Sequence, residues 1–327
     1  MTTTLNRRTL LGLGAGLSAA GLLSACGSNS SGSFPSTIAV GTMAPYVELA
    51  ILQEKGFLAD TLKQAGHHAD LRWKTLLSMV PMATAVAGGA VAFGHSAPPI
   101  AAIAAGQKLT IVATFEHNVN GSGLLVKKNS SITSVADLKG KAIGAPTTTP
   151  DRQLYVALKS AGLTLDDVTL KPLEANVGVA GLLSGAVDAY SSFDPYKTQA
   201  IVDGKARELD LGSAKIASYN PVYANTDFLN RSPEAVELYL TAMKKAIDWS
   251  NTHGPETAQI YASANKISGD LATETLKNRV RKLLDPNQDF RSQCEADSEF
   301  LKGQGLIQRL PDWDKAIDDA PVKRVLG

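Results

Sequence analysis

The chain has 327 residues, 44% of them hydrophobic, and its 32 basic side chains stand against 31 acidic ones. That length exceeds the roughly 250–300 residues over which a single core stays undivided, so two lobes or domains are expected. Near-neutral charge leaves no electrostatic footprint for nucleic acid, 6% aromatic residues argue against a base-stacking platform, and the plentiful apolar content excludes disorder over most of the chain.

In chain order, Asn6-Arg7-Arg8-Thr9-Leu10-Leu11 leads into a Gly/Ala-rich apolar stretch ending at Leu23, which is the order of an export signal. The paired arginines are similar to a twin-arginine signal. Leu23-Ser24-Ala25-Cys26 is similar to a bacterial lipobox, so residues 1–25 are expected to be removed and Cys26 to carry the lipid. Cleavage there takes Arg7 and Arg8 away and turns the slight basic excess into a slight acidic one. The Gly12-x-Gly14 and Gly14-x-Gly16 pairs lie inside this segment with no strand before them, so they are no dinucleotide fingerprint. Lipidation of Cys26 leaves Cys294 as the sole remaining cysteine, which excludes an internal disulfide and any cysteine-rich metal or iron–sulfur site. No cofactor is expected. Beyond residue 25 no apolar run is long enough to span a bilayer.

Residues 27–35 read as a flexible linker of small polar residues. Thr37–Gly41 then reads as a strand, and Pro45 opens a helix that stops at Gly56. Leu71 and Trp73 alternate with polar residues as in a half-buried strand. Pro81–Ala87 reads as helix, Val91–Gly94 as a short strand, Pro98–Ala105 as helix and Leu109–Phe115 as a strand buried on both faces. A second β/α set follows: strands at Gly123–Val126, Lys141–Ala145, Val168–Pro172 and Val187–Ser191, and a helix from Pro150 to Ala161. From Ser232 onward the chain reads as almost entirely helical, without new strands, with Pro233 at a first helical position and further helices after Gly254, Gly269 and Asn287. Alternation of this kind predicts an α/β fold of two lobes, each a mostly parallel sheet flanked by helices. The polar stretches Asn118–Gly121 and Ser218–Asn220 are the candidate hinge crossings. Lobe I is then discontinuous, residues 36–118 plus 222–327, and lobe II is residues 119–221.

Particular residues carry a family resemblance. Ser134-Val135-Ala136-Asp137-Leu138-Lys139-Gly140-Lys141-x-Ile143-Gly144 resembles the segment opening the second lobe of bacterial ABC-transporter substrate-binding proteins. Gly94-His95-Ser96-Ala97-Pro98-Pro99-Ile100, Ser192-Phe193-Asp194-Pro195-Tyr196 and Leu183-Ser184-Gly185-Ala186-Val187-Asp188-Ala189 resemble the branch binding aliphatic sulfonates, taurine and nitrate, which also contains thiamine-precursor binders. The likeness runs in order from about Thr37 to near Ala264. It implies a periplasmic-binding-protein type II fold that closes on a small anionic solute, and an ABC permease with its ATPase as partners. It also implies an exported monomer, a lipoprotein held at the outer face of the cell membrane by its lipid alone, or a periplasmic one.

Candidate ligand residues follow from strand ends that run into helix starts carrying small hydroxyls, because helix N-termini present unpaired N–H groups to anions. These are Thr42 before Pro45, Thr75 (with Ser78) after the Trp73 strand, Ser96 before Pro98, and Thr147, Thr148 and Thr149 before Pro150. In open α/β sheets ligands sit outside the carboxyl ends of strands, where these residues fall. Each is equally a helix cap by type. The three consecutive threonines match a hydroxyl-rich run in the sulfonate branch. Asp194 can accept from a ligand amino group or cap the helix at Pro195. Arg152 can pair with an anion in a forked geometry, and Tyr46, Phe115, His117 and Phe193 are candidates for the apolar wall.

Other chemistries fit less well. Ser96 stands between strand and helix like a nucleophile elbow, but the Gly required two residues later is Pro98. Ser96, Asp194 and His253 complete a Ser-Asp-His order in which His253 belongs to the helical C-terminal part. A few members of the wider family are enzymes, including a desulfinase with a cysteine nucleophile; Cys294 lies far in sequence from every cleft candidate. His67-His68 are adjacent and no His-Glu-x-x-His is present. Capture of an aliphatic sulfonate or taurine is the expected function. Nitrate, a heterocyclic thiamine precursor, or a desulfinase or esterase activity are the alternatives.

Overall fold

A computed structural model describes residues 33–118, 120–146, 152–277 and 279–327. The export signal, Cys26, most of the linker and Thr147–Thr149 lie outside the described residues. The first β/α set is β1 (Thr37–Thr42), α1 (Val47–Glu54), α2 (Phe57–Gln64), β2 (Asp70–Thr75), α3 (Met79–Ala87), β3 (Phe93–His95), α4 (Ile100–Ala104) and β4 (Leu109–Asn118). The second is β5 (Ser122–Lys127), β6 (Ala142–Ala145), α5 (Arg152–Ser160), β7 (Thr169–Pro172), α6 (Ala175–Ser184), β8 (Ala189–Phe193), α7 (Tyr196–Val202) and β9 (Ala206–Glu208). The chain then returns through β10 (Ser218–Asn225), α8 (Thr226–Arg231), α9 (Pro233–Thr252), α10 (Gly254–Asn265), α11 (Gly269–Leu276), β11 (Val280–Leu284), α12 (Gln288–Gly303), α13 (Trp313–Ala316) and α14 (Ala320–Leu326).

Two sheets result, one of six strands in the order β11-β4-β10-β3-β1-β2 and one of five in the order β7-β6-β8-β5-β9. Both are mixed, which corrects the expectation of mostly parallel pairing. β1 pairs in parallel with β2 and β3, and β6 with β7 and β8. β10 is antiparallel to β3 and β4, and β5 to β8 and β9. The physical reason lies in the crossings. β4 runs out of the first sheet at the end where β1 and β3 finish, so β5 starts at the junction and must run back through its own sheet. β9 repeats this on the way home, and β10 starts at the junction in turn. The two crossings lie side by side, with Ser218 paired to Asn118 and Tyr219 to His117. β10 therefore straddles the boundary drawn at residue 221.

The first lobe is held by α9, whose Ala235, Val236, Tyr239, Leu240, Met243, Ala246 and Ile247 form one buried stripe at helical spacing. That stripe shares a core with Ile38 and Val40 of β1, Leu49 and Leu52 of α1, and Phe93 and Phe115. Residues 280–284 correct the expectation of an all-helical end. They form β11, which adds to the outer edge of β4 through Val280 opposite His117 and Arg281 opposite Glu116.

The second lobe has a core on each face of its sheet, around Leu124, Leu154 and Leu158 on one side and around Leu125, Leu182 and Tyr190 on the other. The segment Ser134–Gly144 is local chemistry. Ser134 and Asp137 form a reciprocal capping box, Leu138 is buried, and the chain passes into β6. Four hydrogen bonds from Thr133 and Ser134 hold the Asp137 carboxyl down at about 2. Gly178 of α6 is required by Tyr190, since a Cβ there would overlap the ring.

Candidate functional site

The carboxyl ends of β1, β2 and β3 and of β6, β7 and β8 face the junction between the sheets, and among the described candidates Thr42, Thr75 and Phe193 stand at those ends. Thr42 and Thr75 are opposite one another across the β1–β2 pair, with their hydroxyl oxygens 3.3 Å apart. Thr42 is nearly enclosed and Thr75 is exposed, so the pair makes a hydroxyl-bearing edge. From the following loop, Tyr46 donates to Asn220 Oδ1 on the returning crossing at 3.4 Å and packs edge-on against Phe115. His117 lies on β4 at the crossing; its side chain, like that of Arg152 at the start of α5, is outside the described part.

Ser96 is used differently. It is fully buried and donates to the Ala97 carbonyl at 2.7 Å, which leaves its oxygen to accept from Tyr223 at 2.9 Å. Tyr223 crosses over Gly94, where a Cβ would meet its ring at 2.6 Å, and burial with loss of hydration pushes its phenol up. His95, on the other face, is also fully buried. Its Nδ1 lies 3.3 Å from the Gly41 carbonyl and its Nε2 2.7 Å from the Tyr239 hydroxyl. Burial lowers the His95 imidazole to about 3, and Tyr239 is raised well above its usual range. The neutral ring therefore donates from Nδ1 to Gly41 and accepts at Nε2 from Tyr239.

On the second lobe, β8 ends in Ser192 and Phe193. Ser192 is buried, and its Oγ has no hydrogen-bond partner among the described residues. Phe193 is 39% exposed and meets Tyr196 edge-on. Asp194 caps α7, since Oδ1 accepts from the Thr198 hydroxyl at 2.7 Å and from its N–H at 3.3 Å. Burial pushes the Asp194 carboxyl up, against the Thr198 hydrogen bonds and the charges of Lys197 and Arg279. Lys197 is itself buried and tied to Glu208 at 3.0 Å, which also holds Lys215 at 3.0 Å. Arg279, between α11 and β11, was not singled out in the sequence. It is one arginine in a stretch that reads as helix, and its Nη1 donates to the Pro45 carbonyl at 3.3 Å.

No described catalytic assembly forms from Ser96, Asp194 and His253. His253 stacks on Trp249 with Nδ1 2.9 Å from the Trp249 carbonyl, while Ser96 and Asp194 are engaged as above. Cys294 is buried in α12. His67 stacks on Phe34 and contacts Glu234, and among the described residues no three His, Cys, Asp or Glu are placed to hold a metal. A cavity of about 330 Å³ beside α12 is lined by Glu295, Glu299, Asp312 and Asp314 with only Arg291 opposing them. Its acidic lining repels an anion.

Two α/β lobes joined by two adjacent crossings, with strand carboxyl ends facing the junction, define a two-lobed periplasmic-binding-protein type II fold. Residues 79–258 match the family described as NMT1/THI5 like, and the chain belongs to that family. A Bacillus subtilis (strain 168) relative named as an aliphatic sulfonates-binding protein is 27% identical over 314 residues, covering 93% of each chain. An Escherichia coli (strain K12) relative of the same name is 30% identical over 296 residues, covering 86% of this chain and 92% of the other. The crystal structure of the periplasmic aliphatic sulphonate binding protein SsuA from Escherichia coli superposes with a TM-score of 0.81 at 20% identity, over 86% of this chain and 97% of that one. A DSZB variant in complex with biphenyl-2-sulfinic acid shares the fold at a TM-score of 0.66 and 20% identity, over 89% of this chain and 99% of that one. The two relatives matched in sequence are named as binding proteins, whereas the likeness to DSZB is one of fold.

Proposed function

We propose that this chain is the extracytoplasmic solute-binding component of an ABC importer and captures an aliphatic sulfonate, taurine among them, between its two lobes. The observation that carries this is the unlike chemistry of the two sides of the cleft. Thr42 and Thr75 bring hydroxyls from the first lobe, and Phe193 brings a part-exposed apolar ring from the second. Such a pair suits a solute with an anionic head and a hydrocarbon body. Near-neutral charge requires that aimed donors hold the head, because burying an anion without full hydrogen bonding is very costly. Thr147, Thr148 and Thr149, which precede Pro150 in sequence, and Arg152 at the start of α5 belong to the same proposal as groups added on closure, with His117 as part of the wall. Export by the leader and anchoring through the lipid on Cys26 complete it, with residues 36–118 and 222–327 moving as one lobe against 119–221.

The amino-acid side chains described in the cleft favour binding over turnover, since Ser96 is enclosed and its hydroxyl satisfied. The proposal is tested by melting the purified chain with 1-butanesulfonate, taurine, nitrate and a hydroxymethylpyrimidine. A solute that binds only the folded state at about 100 times its dissociation constant adds about 2.7 kcal/mol and raises the melting temperature. A rise with butanesulfonate is expected; a rise with nitrate or the pyrimidine alone, or turnover of a sulfinate, overturns the assignment.

A further inference from the structure

β8 carries a hydroxyl that the fold leaves unused. Ser192 is 2% exposed, and its Oγ has no hydrogen-bond partner among the described residues. No other buried serine or threonine among the described residues is left in this way. Thr110 meets the Thr226 hydroxyl at 2.9 Å, Thr257 donates to the Ser250 carbonyl at 3.2 Å, and Ser298 donates to the Cys294 carbonyl at 2.6 Å. A buried hydroxyl without a partner costs stability, because its hydrogen bonds to water are lost and not replaced.

The sheet explains why no partner is at hand. Ser192 lies opposite Gly123 in the antiparallel pairing of β8 with β5, so no side chain faces it from the neighbouring strand. On that same face the Glu208 carboxylate lies over Gly123, where a Cβ would overlap it. That carboxylate is already committed, with Oε2 held by Lys197 and Oε1 by Lys215, each at 3.0 Å. The place of the hydroxyl matters equally. Ser192 is the penultimate residue of β8, whose carboxyl end faces the junction between the lobes, and β5 begins at that junction with Gly123 as its second residue.

We propose that Ser192 is a solute-binding residue of the second lobe, and that its hydroxyl donates to an oxygen of the anionic head once the lobes enclose the solute. This rests on the sulfonate assignment above. A sulfonate offers acceptor oxygens and no donor, so a hydroxyl whose proton is uncommitted matches it, whereas a hydrocarbon body would leave the hydroxyl unsatisfied. A closed cleft hides from water the groups that touch its solute, so deep burial of a contact residue is expected. Ser96 differs in that its hydroxyl is spent on Ala97 and Tyr223.

The experiment reads two quantities on Ser192→Ala against the wild-type chain: affinity for 1-butanesulfonate by calorimetric titration, and the melting temperature without solute. Affinity is expected to fall about tenfold or more, as for loss of a hydrogen bond to a charged group. The melting temperature is expected to stay level or rise by about 1–3 °C, since an unsatisfied polar group has left the interior. Weaker binding with undiminished stability is a pattern that a merely structural hydroxyl does not produce. Unchanged affinity overturns the inference and leaves the sulfonate assignment standing. So does a lower melting temperature or a failure to fold, either of which marks a hydroxyl already satisfied inside the protein, as by a buried water. A wild-type chain that ignores butanesulfonate overturns both.

Discussion

The carboxyl ends of β1 and β3 are neighbours in one sheet and end alike, in a small hydroxyl residue followed by a turn and a helix. They are put to different uses. At β1, nearly enclosed Thr42 faces exposed Thr75 on the rim. At β3, Ser96 is sealed under Tyr223, and His95 beside it lies between Phe115 and Tyr239 in the core. Neighbouring strands decide the difference. β1 is flanked on one side by the edge strand β2, whereas β3 is flanked by β10, which lays Tyr223 directly opposite Gly94. A hydroxyl at a strand end stays at the rim where the next strand is an edge, and becomes a packing residue where it is covered.

Three measurements break or sharpen that contrast. The largest effect belongs to His95→Ala, which opens a cavity and orphans the Tyr239 hydroxyl. Urea unfolding is expected to show a loss of about 3–5 kcal/mol, with a cavity and an unsatisfied buried donor both contributing. A loss below about 1 kcal/mol would mean that the β3 end is not the covered, structural one.

Second is the response to acid. His95 titrates at about 3 in the folded protein against 6.5 unfolded. Between those values the unfolded chain binds a proton that the folded one refuses, so this residue's contribution to stability is complete above pH 6.5 and is lost as pH falls. The slope is about 1.4 kcal/mol per pH unit in mid-window. Chemical denaturation from pH 7 to 4 should show it, and His95→Gln, which cannot titrate, should flatten the curve by that amount. An identical slope in the variant would show that the imidazole charges freely.

The smallest stability effect is at the rim. Thr42→Val with Thr75→Val removes a hydroxyl pair at the edge, and unfolding should change by about 1 kcal/mol or less. Affinity for butanesulfonate should nevertheless fall by about tenfold or more for the loss of two donors. Retained affinity would leave the β1–β2 rim outside the site.

Much of the fold was legible because it depends on short-range pattern. The strand at Thr37 and the helix ended by Gly56 are readable from periodicity and from a glycine at φ 71°. The helix begun by Pro233 follows from a proline at a position whose N–H would be unpaired anyway. The stretches at residues 118–121 and 218–220 read as polar breaks between apolar runs, and Ser218 pairs with Asn118. Residues 280–284 were not, because Val-Arg-Lys-Leu-Leu carries no decisive period. It becomes a strand because β4 offers an open edge. Mixed pairing was also hidden, since strand direction is set by where the chain crosses between sheets.

The candidate site divides in the same way. Residue type and position alone placed Thr42, Thr75, Phe193 and Asp194 at strand ends and helix starts, where local backbone geometry demands small polar groups. Sequence also settled near-neutrality, and with it that an anion must be held by aimed groups. Only the tertiary structure decided that Ser96 is enclosed under Tyr223. It alone brought Arg279, 234 residues along the chain, to the Pro45 carbonyl. Those outcomes depend on which surfaces meet across the sheet and across the cleft. Long-range packing of that kind leaves no periodic trace in the residues that take part.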